Sequence, residues 1–243
     1  MKLSIVIPAF DESGKIGGDI ESACQFLQTN GFEGKIIVVD DGSKDTTADE
    51  AGKAGRNCHG TIEVTVIRNT HHRGKGYAVR SGIKQTTGDY VMFADSGNCV
   101  PYENVLRGLK LLAAGQCDIA QGARKMAGAN IIKDQGLYRR ICSSIFHWFV
   151  THIMKIPAEL TDTQCGFKIY RGDVARRLYG ECVTDGFMFD IEVILRALSQ
   201  GYRIKEFPID WSCDADSRLS PTRSLRRILV ELIRIRAALK ADK

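Results

Sequence analysis

Three polar clusters in the first hundred residues carry the residue types that bind nucleotides. They are residues 8–12, with Asp11 and Glu12, then Asp40-Asp-Gly-Ser43, then Asp95-Ser-Gly-Asn98. A carboxylate at a strand end can accept hydrogen bonds from a base or a ribose, and a serine can cap the following helix. Each cluster alone also fits a plain turn with a helix cap. Their chemistry therefore depends on whether the fold brings them together.

Two further features suit a phosphorylated ligand. The segment His71-His-Arg-Gly-Lys-Gly76 offers amide donors and positive charge at the start of a predicted helix, which favours a phosphate near Lys75. Asp95 ends an apolar segment and can hold Mg²⁺ or Mn²⁺, which prefer oxygen ligands. A lone Gly-x-Gly is weak support, however, and a single carboxylate is a poor metal cage.

The elements that must position these residues follow from the apolar pattern. Short apolar runs alternate with longer amphipathic segments, which predicts an α/β fold with a mostly parallel sheet and helices on both faces. Ligands of such sheets bind beyond the carboxyl ends of the strands, where the polar clusters fall. The predicted strands are residues 3–7, 36–39, 62–67, 90–94 and 119–120, and the predicted helices are residues 13–29, 43–55, 75–86 and 102–115.

The second half of the chain is less regular. The predicted elements are a helix at 135–154, a loop running into a strand at 162–170, a helix at 190–199, a strand at 202–209 and a helix at 221–240. We expect one domain over residues 1–220, with residues 221–243 as a C-terminal extension of it.

The final predicted helix combines apolar residues at helical spacing with many basic residues. Leu225, Leu232 and Leu239 lie in the apolar set, and Arg223, Arg226, Arg227, Arg234, Arg236 and Lys240 are basic. Such a helix can lie in a membrane interface beside anionic lipids. The alternative is a helix packed on the core, or on a partner, with a solvated basic face.

Bulk composition limits the class of protein. With 243 residues, 44% hydrophobic and 26% charged, the chain can form a sizeable core and is not a disordered protein. Its eight cysteines show no CxxC spacing, which predicts reduced thiols in a cytoplasmic protein. The sequence has no run of 18 apolar residues, so any membrane contact is expected to be peripheral, at the cytoplasmic face.

The order of the motifs is more informative than any one of them. Along the chain they read IVIPAFDE, VVDDGSKDTT, RGKGYAVRSG, GDYVMFADSGN, DIAQGAR and DTQCGFKIYR. This series resembles family 2 glycosyltransferases of the GT-A fold, and within them the dolichyl- or polyprenyl-phosphate branch. The resemblance covers residues 3–220, and its most specific parts are DTQCGFK and the RGKG segment.

The resemblance implies a nucleotide-sugar donor, with UDP-sugars favoured, and a polyprenyl-phosphate acceptor; nucleic acid is not an expected partner. Lys75 would lie near the donor diphosphate, and Asp95 would be the first carboxylate of the DxD motif. Arg218 would belong to a loop that closes over the donor. The nucleoside pocket would be lined by Pro8, Phe10, Glu12, Asp40 and Asp41. The acceptor phosphate would be held by Arg124, Arg139 and Ser143, so that Asp95, Arg124 and Arg139 carry catalysis.

One departure from the family pattern concerns the metal. The DxD motif reads Asp95-Ser96-Gly97, so the second carboxylate is missing. Asn98 can offer a carbonyl oxygen and the donor diphosphate can supply others. Dependence on Mg²⁺ or Mn²⁺ therefore stays open, and so does loss of activity.

The acceptor decides the chemistry. A phosphate monoester is largely dianionic at neutral pH, so it needs positioning cations more than a base. We therefore expect inverting transfer to a lipid phosphate, with turn or cap roles for Asp162 and Asp190. The alternatives are a hydroxyl acceptor, or a nucleotide-sugar-binding protein without catalysis. A dehydrogenase is disfavoured because no GxGxxG follows the first strand.

Overall fold

The strand and helix pattern of the sequence is realised as a layered α/β structure. The computed structural model describes residues 1–133, 137–213 and 221–241, without the side chains of residues 133, 137–143 and 221–227. The strands are β1 (Lys2–Ala9), β2 (Glu33–Asp40), β3 (Ile62–Arg68), β4 (Tyr90–Ala94), β5 (Ile119–Ala123), β6 (Asn130–Lys133), β7 (Phe167–Arg171), β8 (Ile204–Pro208) and β9 (Asp210–Ser212). The helices are α1 (Ile16–Thr29), α2 (Thr47–Arg56), α3 (Lys75–Ile83), α4 (Val105–Ala113), α5 (Leu137–His152), α6 (Gly172–Glu181), α7 (Phe189–Ser199) and α8 (Pro221–Ala241).

Seven strands form one sheet in the order β3-β2-β1-β4-β7-β5-β8. Strand β7 runs antiparallel to both of its neighbours, and the other pairings in this sheet are parallel. The prediction of a mostly parallel sheet is confirmed. A small second sheet pairs β6 with β9, which the sequence pattern did not predict.

Helices cover both faces of the large sheet, which explains the continuous apolar strands. One core layer lies under α1, α2 and α4, and the opposite layer lies under α3, α6 and α7. A third apolar cluster joins α5, α7 and α8 through Val150, Ile191, Ile194, Leu232 and Ile235. This third layer places the C-terminal helix against the helix that follows the loop at residues 182–188.

The cysteines correct one expectation. Cys24 of α1 and Cys58 beyond α2 are joined by a disulfide, with their Cα atoms 6.0 Å apart. The prediction of reduced thiols throughout is therefore wrong at this pair. The two residues are 34 positions apart and meet because α1 packs beside α2, which spacing alone does not reveal. Cys117, Cys165 and Cys182 are buried thiols.

Candidate active site

The polar clusters meet where β1 and β2 end, as the sheet rule requires. Asp11 N donates to Ser43 Oγ at 2.8 Å, and Asp11 Oδ1 accepts from Lys44 N at 2.7 Å. Glu12 N donates to Thr47 Oγ1 at 2.7 Å. These bonds tie the segment after β1 to the segment after β2, so the two clusters form one surface.

The paired aspartates at the end of β2 are both buried. Asp40 Oδ1 accepts from Ser43 N at 2.9 Å, and Asp40 Oδ2 lies 3.6 Å from Arg68 Nε. Asp41 Oδ2 accepts from Gly74 N at 2.7 Å and from Arg73 N at 3.1 Å. The two carboxylates therefore fix the turn after β2 and the glycine-rich segment before α3.

An aromatic contact lies next to these aspartates. The Phe10 and His72 ring centroids are 4.0 Å apart, and His72 Nδ1 is 2.9 Å from Asp41 Oδ2. Pro8 is buried within β1, opposite Val39 of β2. Of the residues assigned to a nucleoside pocket, Phe10 thus lies at the surface of the strand ends, whereas Pro8 forms part of their base.

Lys75 and Asp95 bring the glycine-rich segment to the end of β4. Lys75 Nζ lies 2.6 Å from Asp95 Oδ1, and Asp95 N donates to the carbonyl of Gly166 at 3.0 Å. Burial alone lowers the pKa of the Lys75 ammonium, but the negative charges of Asp95 and Asp190 outweigh it and raise that pKa. Lys75 is therefore a fixed cation at neutral pH.

Arg124, beyond β5, is held by Asp162. Its Nε and Nη2 donate to the two Asp162 oxygens at 2.6 and 2.7 Å, and its backbone N donates at 3.0 Å. Burial raises the pKa of Asp162, but Arg124 outweighs that effect and the pKa is lowered. The negative charge of Asp95 also reaches Arg124 and helps to raise its pKa. Residues 162–166 therefore connect Arg124, through Asp162, to Asp95, whose N donates to the carbonyl of Gly166.

A second buried ion pair lies below this cleft. Lys168 Nζ is 2.5 Å from Asp190 Oδ1 and donates to the carbonyls of Cys165 at 2.8 Å and Thr163 at 3.2 Å. Burial raises the pKa of Asp190, and Lys168 and Lys75 only partly oppose it. Lys168 was not among the predicted site residues, although a lysine between Phe167 and Ile169 in an apolar strand is a usable signal.

These contacts correct the roles expected for two carboxylates. Asp162 was expected to cap a turn, and it is instead the bidentate partner of Arg124. Asp190 was expected to be a helix N-cap, yet Met188 has that position and Asp190 lies inside α7, paired with Lys168. Both carboxylates are committed to cations.

The loop after Asp95 explains the incomplete DxD motif. Gly97 has φ 95°, a left-handed conformation that disfavours the carboxylate side chain of that motif. Asp19 of α1 accepts from Gly97 N at 2.9 Å and from Asn98 N at 2.8 Å. Burial raises the pKa of Asp19 to about 6. The loop is thus anchored to α1 by Asp19, a residue that lies outside the DxD motif.

A divalent metal finds few ligands among these residues. The side-chain amide of Asn98, the proposed second ligand, donates to Ser22 Oγ at 3.2 Å. Within residues 1–133, 137–213 and 221–241, no three His, Cys, Asp or Glu side chains are grouped so that they could hold a metal ion. The described donor set, Asp95 with Lys75 against it, does not fit a dedicated metal cage.

Some predicted site residues fall outside the described part of the chain. Arg218 lies in residues 214–220, and the side chains of Arg139 and Ser143 lie in the part of α5 whose side chains are not described. Their roles stay predictions.

The described cleft can hold an anionic group between cations. Lys75 and Arg124 are each oriented by a carboxylate, and residues 162–166 connect the two ion pairs, because Asp162 binds Arg124 and Gly166 accepts from Asp95 N. Such a site can stabilise negative charge that develops on a departing phosphate group.

Comparison with known proteins finds one family over most of the chain. The family described as "Glycosyl transferase family 2" matches residues 4–179. A "Dolichyl-phosphate beta-glucosyltransferase" of Drosophila melanogaster is 30% identical over 231 residues, which are 91% of this chain and 70% of the relative. The Homo sapiens protein of the same name is 29% identical over 245 residues, covering 97% of this chain and 75% of the relative.

Solved structures share the fold. Glucosyl-3-phosphoglycerate synthase from Mycobacterium tuberculosis, in complex with Mn²⁺, UDP and glucosyl-3-phosphoglycerate, matches with a TM-score of 0.72 at 19% identity, covering 96% of this chain and 79% of that chain. Mannosyl-3-phosphoglycerate synthase from Rubrobacter xylanophilus matches with a TM-score of 0.68 at 18% identity, covering 98% of this chain and 73% of that chain. These matches confirm the predicted GT-A-type fold.

Proposed function

Since the chain belongs to glycosyl transferase family 2, we propose that it is an inverting enzyme that moves a sugar from a UDP-sugar to a polyprenyl phosphate. The observation that carries this proposal is the Lys75–Asp95 contact of 2.6 Å at the meeting point of the strand ends. It fixes a cation where the donor diphosphate of a GT-A fold would lie, beyond the carboxyl ends of the strands.

The donor side of the proposal rests on the surface formed after β1 and β2. Phe10 offers a ring for a base, and the segment around Asp41 presents polar groups for a ribose. The mycobacterial neighbour was solved with UDP, and the relatives from fly and human are named as glucosyltransferases. These points favour a UDP-sugar, with glucose as the first sugar to test.

The acceptor side rests on the ion pairs. Asp95, Asp162 and Asp190 are each held by a cation, so none of these three carboxylates is placed to deprotonate a hydroxyl. A phosphate monoester needs no such base because its second pKa is about 6. Arg124 offers the planar guanidinium that suits phosphate. We infer that Arg139 and Ser143 complete this acceptor site.

The transfer would be an in-line displacement at the anomeric carbon. An acceptor phosphate oxygen forms the new bond, the bond from the anomeric carbon to the diphosphate oxygen breaks, and its electron pair leaves with UDP. Lys75 would stabilise the negative charge that grows on that leaving group. A Mg²⁺ or Mn²⁺ ion has only a partial site in the described residues, so no step is assigned to one here.

Contact with a lipid surface would bring such an acceptor to the site. Helices α5 and α8 are adjacent, since the Arg236 side chain donates to the carbonyl of Ile153 just beyond α5. Trp148 and Ile233 are 56% and 68% exposed on these two helices. Exposed basic residues accompany them at Arg234, Arg236 and Lys240. An apolar surface with basic neighbours suits an anionic bilayer, and we propose this as the peripheral docking face.

No described helix has the length and apolarity that crossing a bilayer requires. Docking is tested by sedimentation with phosphatidylglycerol-containing vesicles, against phosphatidylcholine vesicles. Ile233→Glu should reduce sedimentation about tenfold, whereas Leu106→Glu on α4 is the matched control, because Leu106 is also exposed. If the wild-type protein does not sediment with anionic vesicles, the lipid assignment is wrong and the face belongs to a protein partner.

Activity is tested by UDP release from a panel of UDP-sugars with a polyprenyl phosphate. Lys75→Ala should lower kcat/KM by about 100-fold or more, because a fixed donor to the developing charge is lost. Lys53→Ala, in an exposed ion pair of α2, is the control and should be neutral. Transfer only to hydroxyl acceptors would contradict the phosphate proposal, and tight UDP binding without turnover would favour a non-catalytic protein.

A further inference from the structure

The loop between α6 and α7, residues 182–188, is attached to the start of α3. Tyr77 N donates to the carbonyl of Asp185 at 3.1 Å. Arg80 Nη1 donates to the carbonyl of Cys182 at 3.1 Å, and Arg73 Nη2 lies 3.0 Å from Asp185 Oδ2. The loop therefore moves together with the segment that carries Lys75.

The same loop packs directly on the residue after Lys75. A Cβ atom at Gly76 would lie 2.6 Å from the carbonyl oxygen of Thr184 and 2.8 Å from that of Gly186. Only hydrogen fits there without displacing backbone. A shift of the loop by a few tenths of an ångström would thus be transmitted to the Gly74–Gly76 turn.

Two buried glutamates hold this loop from different helices. Glu192 of α7 accepts from Val183 N at 2.9 Å and from Thr184 N at 2.8 Å. Glu231 of α8 accepts from Met188 N at 3.1 Å through Oε2. A Cβ atom added to Gly186 would lie only 1.9 Å from Glu231 Oε1, so only glycine fits against this carboxylate. The C-terminal helix is thereby in contact with the loop.

Glu231 is unusual in its own helix. It is the sole acidic residue of residues 221–241, among six basic ones, and its side chain is 8% exposed. Burying a carboxylate is costly unless it is hydrogen-bonded. The hydrogen bond that Glu231 accepts from the loop backbone therefore helps to explain why an acidic residue is buried at this position. Next to it in sequence, Val230 is 42% exposed.

From this geometry we infer that Glu231 is a positioning residue for the donor site, which links α8 to the Lys75 turn through residues 186–188. This inference rests on the proposed function, since it assigns the donor diphosphate to Lys75. Removing the carboxylate frees Met188 N and leaves a space beside Gly186. The loop then no longer fixes Gly76, and the donor site loses its preformed shape.

UDP binding by the full chain, measured by calorimetry without vesicles, tests the inference. Glu231→Ala should weaken UDP binding about tenfold, and Glu231→Gln should restore it, because the amide oxygen can still accept from Met188 N. Ile235→Ala is the matched control. It removes a buried contact of the same helix, so the melting temperature should fall while the UDP dissociation constant stays unchanged.

The outcomes separate this inference from the proposed function. Equal UDP affinity in the wild type and Glu231→Ala, or an equal loss in Ile235→Ala, would overturn the positioning role alone. A wild-type protein that binds no UDP would overturn the proposed donor as well.

Discussion

Two pairs of carboxylates are held by different means. One pair lies in the first half of the cleft, formed at the ends of β1, β2 and β4, and the other in the second half, formed beyond β5 and by residues 162–190. In the first half, Asp19 and Asp41 accept hydrogen bonds from consecutive backbone amides, at Gly97 and Asn98 and at Arg73 and Gly74. In the second half, Asp162 and Asp190 are held by the side chains of Arg124, which is 23% exposed, and of Lys168, which is buried.

This difference indicates that the two halves of the cleft contribute differently to ligand binding. Backbone amides fix a loop in one shape, which suits the part of the cleft assigned to the donor. Side-chain cations such as Arg124 raise the local electrostatic potential, and their remaining N–H groups can also bind the anionic group of a substrate. We therefore expect substitutions in the first half to alter geometry and those in the second half to alter charge balance.

The largest effect should come from breaking the buried pair of the second half. Lys168→Met leaves Asp190 in a buried position without its cation, which should cost about 3–5 kcal/mol of unfolding free energy in urea denaturation. Lys53→Met removes an exposed cation of α2 and should cost less than about 0.5 kcal/mol. Adding Asp190→Leu to Lys168→Met should recover more than half of the loss. If the Lys168→Met protein is as stable as the wild type, the claim that Lys168 holds Asp190 in the second half of the cleft is wrong.

A smaller, pH-dependent effect is expected in the first half, at Asp19. Burial raises its pKa from 3.8 to about 6, so protonated Asp19 favours the folded state and this contribution is lost as pH rises from about 4 to above 6. Asp19→Asn cannot ionise and still offers an oxygen to Gly97 N and Asn98 N. Relative to the wild type, the variant should gain about 2 kcal/mol between pH 4 and pH 7.5.

Urea denaturation at several pH values measures that gain, and Asp49→Asn on an exposed position of α2 is its control. A stability difference between Asp19→Asn and the wild type that does not change with pH would contradict the raised pKa.

The sequence predicted the first half of the cleft better than the second. Apolar runs that end in polar residues predicted strands β1, β2 and β4. Because these strands are parallel, their carboxyl ends bring Asp41 and Asp95 to the same edge of the sheet. The family assignment followed from the whole ordered series of motifs, DTQCGFK of the second half included, and is confirmed by the match over residues 4–179.

The second half depends on contacts that no local pattern records. Arg124 and Asp162 are 38 residues apart, and their pairing requires the reversed strand β7 to enter between β4 and β5. The β6–β9 pairing and the Cys24–Cys58 disulfide likewise arise from packing between distant segments. Propensity and periodicity describe single elements, so they could not anticipate these pairs.

The smallest expected effect is the difference in stability between one carboxylate-to-amide substitution in each half of the cleft. Asp41→Asn keeps an oxygen for Gly74 N and Arg73 N and loses the hydrogen bond that Asn69 Nδ2 donates to Oδ1, so its cost should be about 1 kcal/mol in urea denaturation. Asp162→Asn keeps the same shape but leaves the partly exposed Arg124 without its counter-charge, so it should cost about 2 kcal/mol. Because both changes remove one negative charge and no volume, the difference between them reports how each carboxylate is held. Equal costs would mean that amides and cations hold these carboxylates alike, and the division of the cleft into a shape-fixing half and a charge-setting half would be wrong.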